Sequence, residues 1–127
     1  MTLEERITRI ETALGLIDAD ARPDLSPALS VRAILADVSY HMGLSAADVV
    51  GRSRRSALTR ARQAVAWLAR RHTDKSLTTI AHAIGQRDRT TIMHAITEAE
   101  RRRDAGDPSF RLLTDRLAAQ YRRRAMQ

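Results

Sequence analysis

At 127 residues, with 43% apolar side chains, only 3% aromatics and no cysteine, the chain has room for one domain of ordinary size. A large α/β enzyme, a disulfide framework and a thiolate metal site are excluded. The net charge of +7 is carried almost wholly by arginine, Lys75 being the one lysine among 22 basic residues. No run approaches the roughly 18 apolar residues of a membrane span. The opening Met1-Thr2-Leu3-Glu4-Glu5 lacks the basic-then-apolar order of a signal peptide, so a soluble cytoplasmic protein is expected.

Leu3, Ile7, Ile10, Leu14 and Ile17 form an a/d seam of two heptads. It is too short for an independently stable coiled coil, so it reads as a docking helix or one arm of a homodimer. The stretch from Asp18 to Asp24 breaks the pattern and reads as a linker, giving residues 1–25 as a helix-plus-linker unit and 26–127 as the main domain. Ser26-Pro27 looks like an N-cap with proline at the first helical position. The helix it opens runs to about Met42 on the stripe Val31, Ile34, Leu35, Val38 and Met42, with Gly43 to end it. Ser45 caps a short helix over Ala46 to Val50, closed by Gly51.

Arg52-Ser53-Arg54-Arg55-Ser56 has no apolar period and reads as an exposed basic loop. A helix returns from Ala57 to His72 with Leu58, Ala61, Val65 and Leu68 on its core face and Arg60, Gln63 and Arg70 on another. Ser76 caps a helix carrying Leu77, Ile80, Ala81 and Ile84, followed by Gly85. The polar turn Gln86-Arg87-Asp88-Arg89 leads into a helix that starts at Thr90-Thr91 and runs to about Asp104. Asp107-Pro108 caps a terminal helix with Phe110, Leu113, Leu117 and Tyr121. No strand is convincing, and the fold is expected to be an all-α bundle containing a helix-turn-helix.

From Val49 to Thr73 there is no acid, while Arg52, Arg54, Arg55, Arg60, Arg62, Arg70 and Arg71 all fall there. Such a guanidinium field suits phosphate, because the planar fork matches phosphate oxygens. A solvated helix face is the plain alternative. A helix-turn-helix binds DNA when its second helix points its N-terminal end into the major groove. Here that end is Arg87-Asp88-Arg89-Thr90-Thr91: two guanidinium forks, a carboxylate able to accept from a cytosine amine, and two hydroxyls. The lesser alternative is Asp88 as a plain N-cap with Arg87 and Arg89 solvated.

These residues resemble a known family. Gly85-Gln86-Arg87-Asp88-Arg89-Thr90-Thr91-Ile92-Met93-His94-Ala95 is similar to the Gly-Gly-Arg-Asp-His-Thr-Thr signature in the C-terminal DNA-binding domain of the bacterial replication initiator DnaA. Arg60-Ala61-Arg62-Gln63, the stretch from Asp37 to Ser45 and the Gly51-Arg52-Ser53-Arg54 loop also match in order. The resemblance runs from Val31 to about Arg124 and implies a DnaA-C-terminal-like, Trp-repressor-like domain. It implies that Arg54 enters the minor groove and that Asp88, Arg89 and Thr90 read bases in the major groove. By the same resemblance Arg62, Gln63, Arg70 and Thr73 hold phosphates, Leu77 and Thr78 lie near the groove, and Arg87 supports the turn or a phosphate. Arg52, Arg55, Arg60, Thr91 and His94 are further expected backbone contacts.

Three departures matter. Arg89 stands where the family usually has histidine, and a bidentate arginine prefers guanine. Ala61 and Thr78 stand where proline is common. No Gly-x-x-x-x-Gly-Lys-Ser/Thr occurs, so this sequence lacks the initiator's ATPase motif.

His41, His72, His82 and His94 lie on separate predicted helices with no pair at i, i+4, and neither a metal nor a cofactor is expected. Ser56 and Ser76 have no nearby base, so catalysis has no support. Trp67 and Tyr40 read as core or rim residues. The Arg101-Arg102-Arg103 and Arg122-Arg123-Arg124 runs read as solvated helix ends. The expected function is sequence-specific binding of double-stranded DNA at a DnaA-box-like site, by a nucleoid-associated regulator of replication initiation or transcription. The rival is an interaction adaptor whose Leu3–Ile17 seam docks on a partner protein, with the DNA domain as a tether. RNA fits less well, because A-form major grooves are too narrow for a recognition helix.

Overall fold

The structure is a computed structural model that describes residues 29–126. The seam of Leu3, Ile7, Ile10, Leu14 and Ile17, its linker and the Ser26-Pro27 cap lie outside the described residues. Six α-helices follow in order: α1 (Val31–Met42), α2 (Ala46–Val50), α3 (Ser56–His72), α4 (Leu77–Ala83), α5 (Arg89–Arg101) and α6 (Pro108–Ala125). A π-helical turn, Arg102–Gly106, joins α5 to α6. There is no strand among the described residues.

Local chemistry sets most boundaries. The helix expected to open at Ser26-Pro27 begins instead at Val31, because Ser30 is extended and its hydroxyl accepts from the Ala33 N–H at 3.0 Å. Gly43 ends α1 in the left-handed region at φ 67°, where a Cβ would be unfavourable. Ser45 and Ser76 cap α2 and α4 in the same way as Ser30. Asp107 caps α6 through the Phe110 N–H, with Pro108 in the first turn.

Helix α3 is the axis of the domain and touches each of the other five. Its run Ala64-Val65-Ala66 and its Leu68-Ala69 pair are fully buried. The alanines let neighbouring backbones approach closely, which is how a core with so few aromatics closes. Ile34 and Val38 from α1, Val49 from α2, Ile80 from α4, Ile92 from α5 and Leu117 from α6 complete it. Burying each such Leu or Ile side chain is worth about 1.5–3 kcal/mol.

Tyr121 of α6 lies across the core, its ring edge-on to His72 at 5.4 Å. Its hydroxyl donates to the Asp37 carboxylate of α1 at 2.7 Å. Burial first, and that hydrogen bond second, push the phenol well above its ordinary pKa. Trp67 is a buried core residue with Arg103 stacked on its ring at 4.2 Å, while Tyr40 is 82% exposed. No helix among the described residues is long and apolar enough to cross a membrane.

Candidate nucleic-acid interface

Helices α4 and α5 meet across a turn of unusual backbone. Gly85 (φ 97°) and Gln86 (φ 60°) both lie at positive φ. At Gly85 no other residue fits, since a Cβ would run into the Val50 carbonyl oxygen. Asp88 then starts α5, its carboxylate accepting from the Thr91 N–H at 2.8 Å. That backbone bond, followed by one from the Thr91 hydroxyl, holds the Asp88 carboxyl below the usual range.

The exposed face of α5 carries Arg89, Thr90, Met93, His94 and Thr97, while Ile92 and Ala99 point to the core. Arg89 and Thr90 therefore stand free at the end of the helix that a groove would meet first.

Arginines tie this turn to the basic loop. The Arg87 guanidinium donates to the carbonyls of Gly51 (2.5 Å), Val50 and Ile84. Arg62, from α3, donates to Val49 at 2.6 Å and to Gly51 at 2.9 Å. Together they satisfy the carbonyl end of α2 and fix where Arg52 and Arg54 begin. Burial depresses the pKa of both guanidiniums, with further lowering at Arg62 from Arg87 and at Arg87 from Arg52. A concavity of about 550 Å³ results, lined by Arg52, Arg54, Arg62, Gly85, Gln86, Arg87 and Thr91. No carboxylate lines it.

Several residues expected on phosphate are engaged elsewhere. Arg60 makes a paired contact with Asp107 (2.9 and 3.0 Å) and reaches Ser109. Gln63 is buried, and its side-chain oxygen accepts from Arg102 at 2.6 Å. Thr73 is buried, with its hydroxyl on the Ala69 carbonyl at 2.7 Å. Arg60 and Gln63 thus have internal partners 47 and 39 positions away, and Thr73 has one a single helical turn back. Arg62 and Arg87 likewise act first as internal ties.

Arg102 and Arg103 are not solvated helix ends either. Arg102 also pairs with Asp107, and Arg103 bonds Thr114 and Asp115. Arg101 fits the expectation better, being exposed and paired with Glu98. Arg52, Arg54, Arg55, Thr78, Thr91 and His94 are exposed, whereas Leu77 and Arg70 are half-buried. Arg70 lies eight positions beyond Arg62 on α3, about 12 Å along the axis. It does not line the concavity. Among the described residues no three His, Asp or Glu side chains converge as a metal site would require.

The sequence profile described as "Bacterial dnaA protein helix-turn-helix" matches residues 31–98. The chain belongs to this family. Among its DnaA relatives, the chromosomal replication initiator protein of Microcystis aeruginosa is 43% identical over 63 residues, 50% of this chain and 14% of that protein. The DnaA of Caulobacter sp. (strain K31) is 36% identical over 89 residues, 68% of this chain and 18% of its own. The DnaA of Caulobacter vibrioides is 34% identical over 80 residues, 61% of this chain and 16% of that protein. The chain thus spans less than a fifth of the length of these DnaA proteins. The matched segment holds α1 to the greater part of α5, and with them the acid-free concavity.

Proposed function

We propose that this chain binds double-stranded DNA sequence-specifically through α5 and the Arg52–Arg55 loop, without catalysis, at a site related to those of DnaA initiators. One observation carries the reading: four arginines converge beside the start of α5 with no carboxylate among the residues lining their concavity. A protein surface gathers uncompensated guanidiniums at the expense of their mutual repulsion, and a polyanion removes that repulsion. With the N-terminal end of α5 in the major groove, Arg89 and Thr90 address base edges. Asp88 sets the helix start and retains carboxylate lone pairs for a cytosine amine. Arg54 enters the adjacent minor groove.

Phosphate binding falls to Arg52, Arg55, Thr78, Thr91 and His94, with Arg70 further along. Because Arg89 replaces the family's usual histidine, the preferred site carries guanine at the base it meets. The role is regulation of replication initiation or of transcription, in keeping with the initiator relatives.

Selection from a random duplex library at two salt concentrations tests this. The expected result is a site akin to the DnaA box but altered at one position. With roughly four phosphates neutralised, log affinity should fall with log salt at a slope of about −3 to −4. Return of the unaltered box as best ligand would refute the role of Arg89, and failure to enrich any duplex would refute DNA binding.

A further inference from the structure

Four large apolar side chains are well exposed among the described residues: Tyr40, Leu112, Met126 and Met93. Met93 alone of these lies on the helix assigned to the major groove. It is 49% exposed, while the core-facing positions of the same helix, Ile92 and Ala99, are 1% and 0% exposed. Arg89 and Thr90 precede it by four and three residues and Thr97 follows by four, so it sits in the middle of the outward stripe.

Its polar neighbours are partly engaged. The Thr97 hydroxyl donates to the Met93 carbonyl at 3.1 Å, and the Thr91 hydroxyl is bonded to Asp88. The first turn of α5 therefore offers charge and hydrogen bonds, and the second offers an unbranched thioether.

Resting on the DNA-binding reading above, we infer that Met93 is a base-reading residue that packs on the C5-methyl group of a thymine. The thymine methyl is the one apolar mark on a base-pair edge in the major groove, and neither guanine, adenine nor cytosine carries it. Methionine suits the contact because its flexible, polarisable side chain adapts to a small apolar target. Hydrogen bonding is not needed, so the contact adds to the polar readout by Arg89 and Thr90 without competing for their atoms.

The experiment removes one methyl group at a time. In the duplex selected by the full chain, each thymine is replaced singly by deoxyuridine, which leaves the Watson–Crick edge intact. Binding is measured by fluorescence anisotropy for the wild type, Met93→Ala and Met93→Leu. For the wild type, one position or two adjacent ones should weaken binding about fourfold, the affinity equivalent of burying a single methyl. Met93→Ala should lose that sensitivity at those positions while keeping its helical circular dichroism, and Met93→Leu should retain most of it.

A flat uracil scan in the wild type overturns the inference, as does a selected site without thymine. Sensitivity that persists unchanged in Met93→Ala also overturns it, since another group then holds the methyl. Tight duplex binding with any of these results leaves the DNA-binding reading standing, whereas absence of duplex binding removes both.

Discussion

Replacing Arg87 by alanine separates two tasks an arginine at this turn could perform. Its guanidinium donates to Gly51, Val50 and Ile84, joining the turn before α5 to the carbonyl end of α2. A hydrogen bond to a charged group contributes about 1.5–3 kcal/mol when its partner is left stranded. These carbonyls are only partly buried and can be rehydrated, and loss of Arg87 relieves its repulsion of Arg62. The three bonds together should therefore contribute about 2–3 kcal/mol rather than their sum. For a domain near 100 residues that is a fall in Tm of about 10–20 °C.

Urea denaturation followed by circular dichroism gives the free energy, and salt-dependent DNA binding of the folded fraction gives the charge count. Arg87→Lys should fall between wild type and alanine, because one ammonium cannot bridge three separated carbonyls. The reasoning fails if Arg87→Ala unfolds within about 0.5 kcal/mol of wild type while affinity for every duplex drops and the salt slope loses about one charge. Arg87 would then be a phosphate contact and not a structural tie.

Asp107 offers a second test. Asp107→Ala removes the α6 cap and leaves Arg60 and Arg102 without their shared carboxylate, for a loss of about 2–4 kcal/mol. Asp107→Asn keeps the cap and should lose about half as much. Burial by itself raises the Asp107 pKa, but the Phe110 N–H and then the Arg60 and Ser109 hydrogen bonds outweigh it and hold it low. Its stabilisation is therefore present above the unfolded carboxylate value and lost as pH falls through the lower folded one. Melting curves should show the wild type's advantage over Asp107→Asn shrinking only below about pH 4. Gly85→Ala should destabilise by at least about 2–3 kcal/mol in urea, since positive φ and the Val50 carbonyl both oppose a Cβ. Gln86→Gly at φ 60° should stabilise by up to about 1 kcal/mol in the same assay. In binding assays Arg89→Ala should weaken cognate DNA by about 1–3 kcal/mol and relax one position, whereas Arg52→Ala should weaken all sequences alike.

Features that depend on neighbours a few residues apart were legible in the chain. Ser45, Ser76 and Asp107-Pro108 cap helices whose start is written beside them, and Gly43 and Gly85 fall where the backbone turns left-handed. The start of α1 misled, because Ser26-Pro27 carries the stronger cap pattern and Ser30 holds the observed one. Side-chain roles set by distant partners were not legible. Arg60 and Gln63 share a helix face with Arg70, but Asp107 and Arg102, 47 and 39 positions away, turn the first two inward. The same blindness applied to Arg103, whose place on Trp67 depends on the π-turn. Met93 lies within the stretch that resembles the family signature. Its period marks it as off the core face, which was the available signal.

The ties between the basic loop and the turn run to carbonyl oxygens and not to carboxylates, and this separates two sensitivities. Dipoles carry no net charge, so added electrolyte scarcely weakens the bonds from Arg62 and Arg87 to the end of α2, while it strips long-range attraction to a polyanion. The scaffold that aims Arg54 should thus survive ionic conditions that release any bound duplex. On the DNA-binding reading, release of a duplex and loss of shape are therefore independent events.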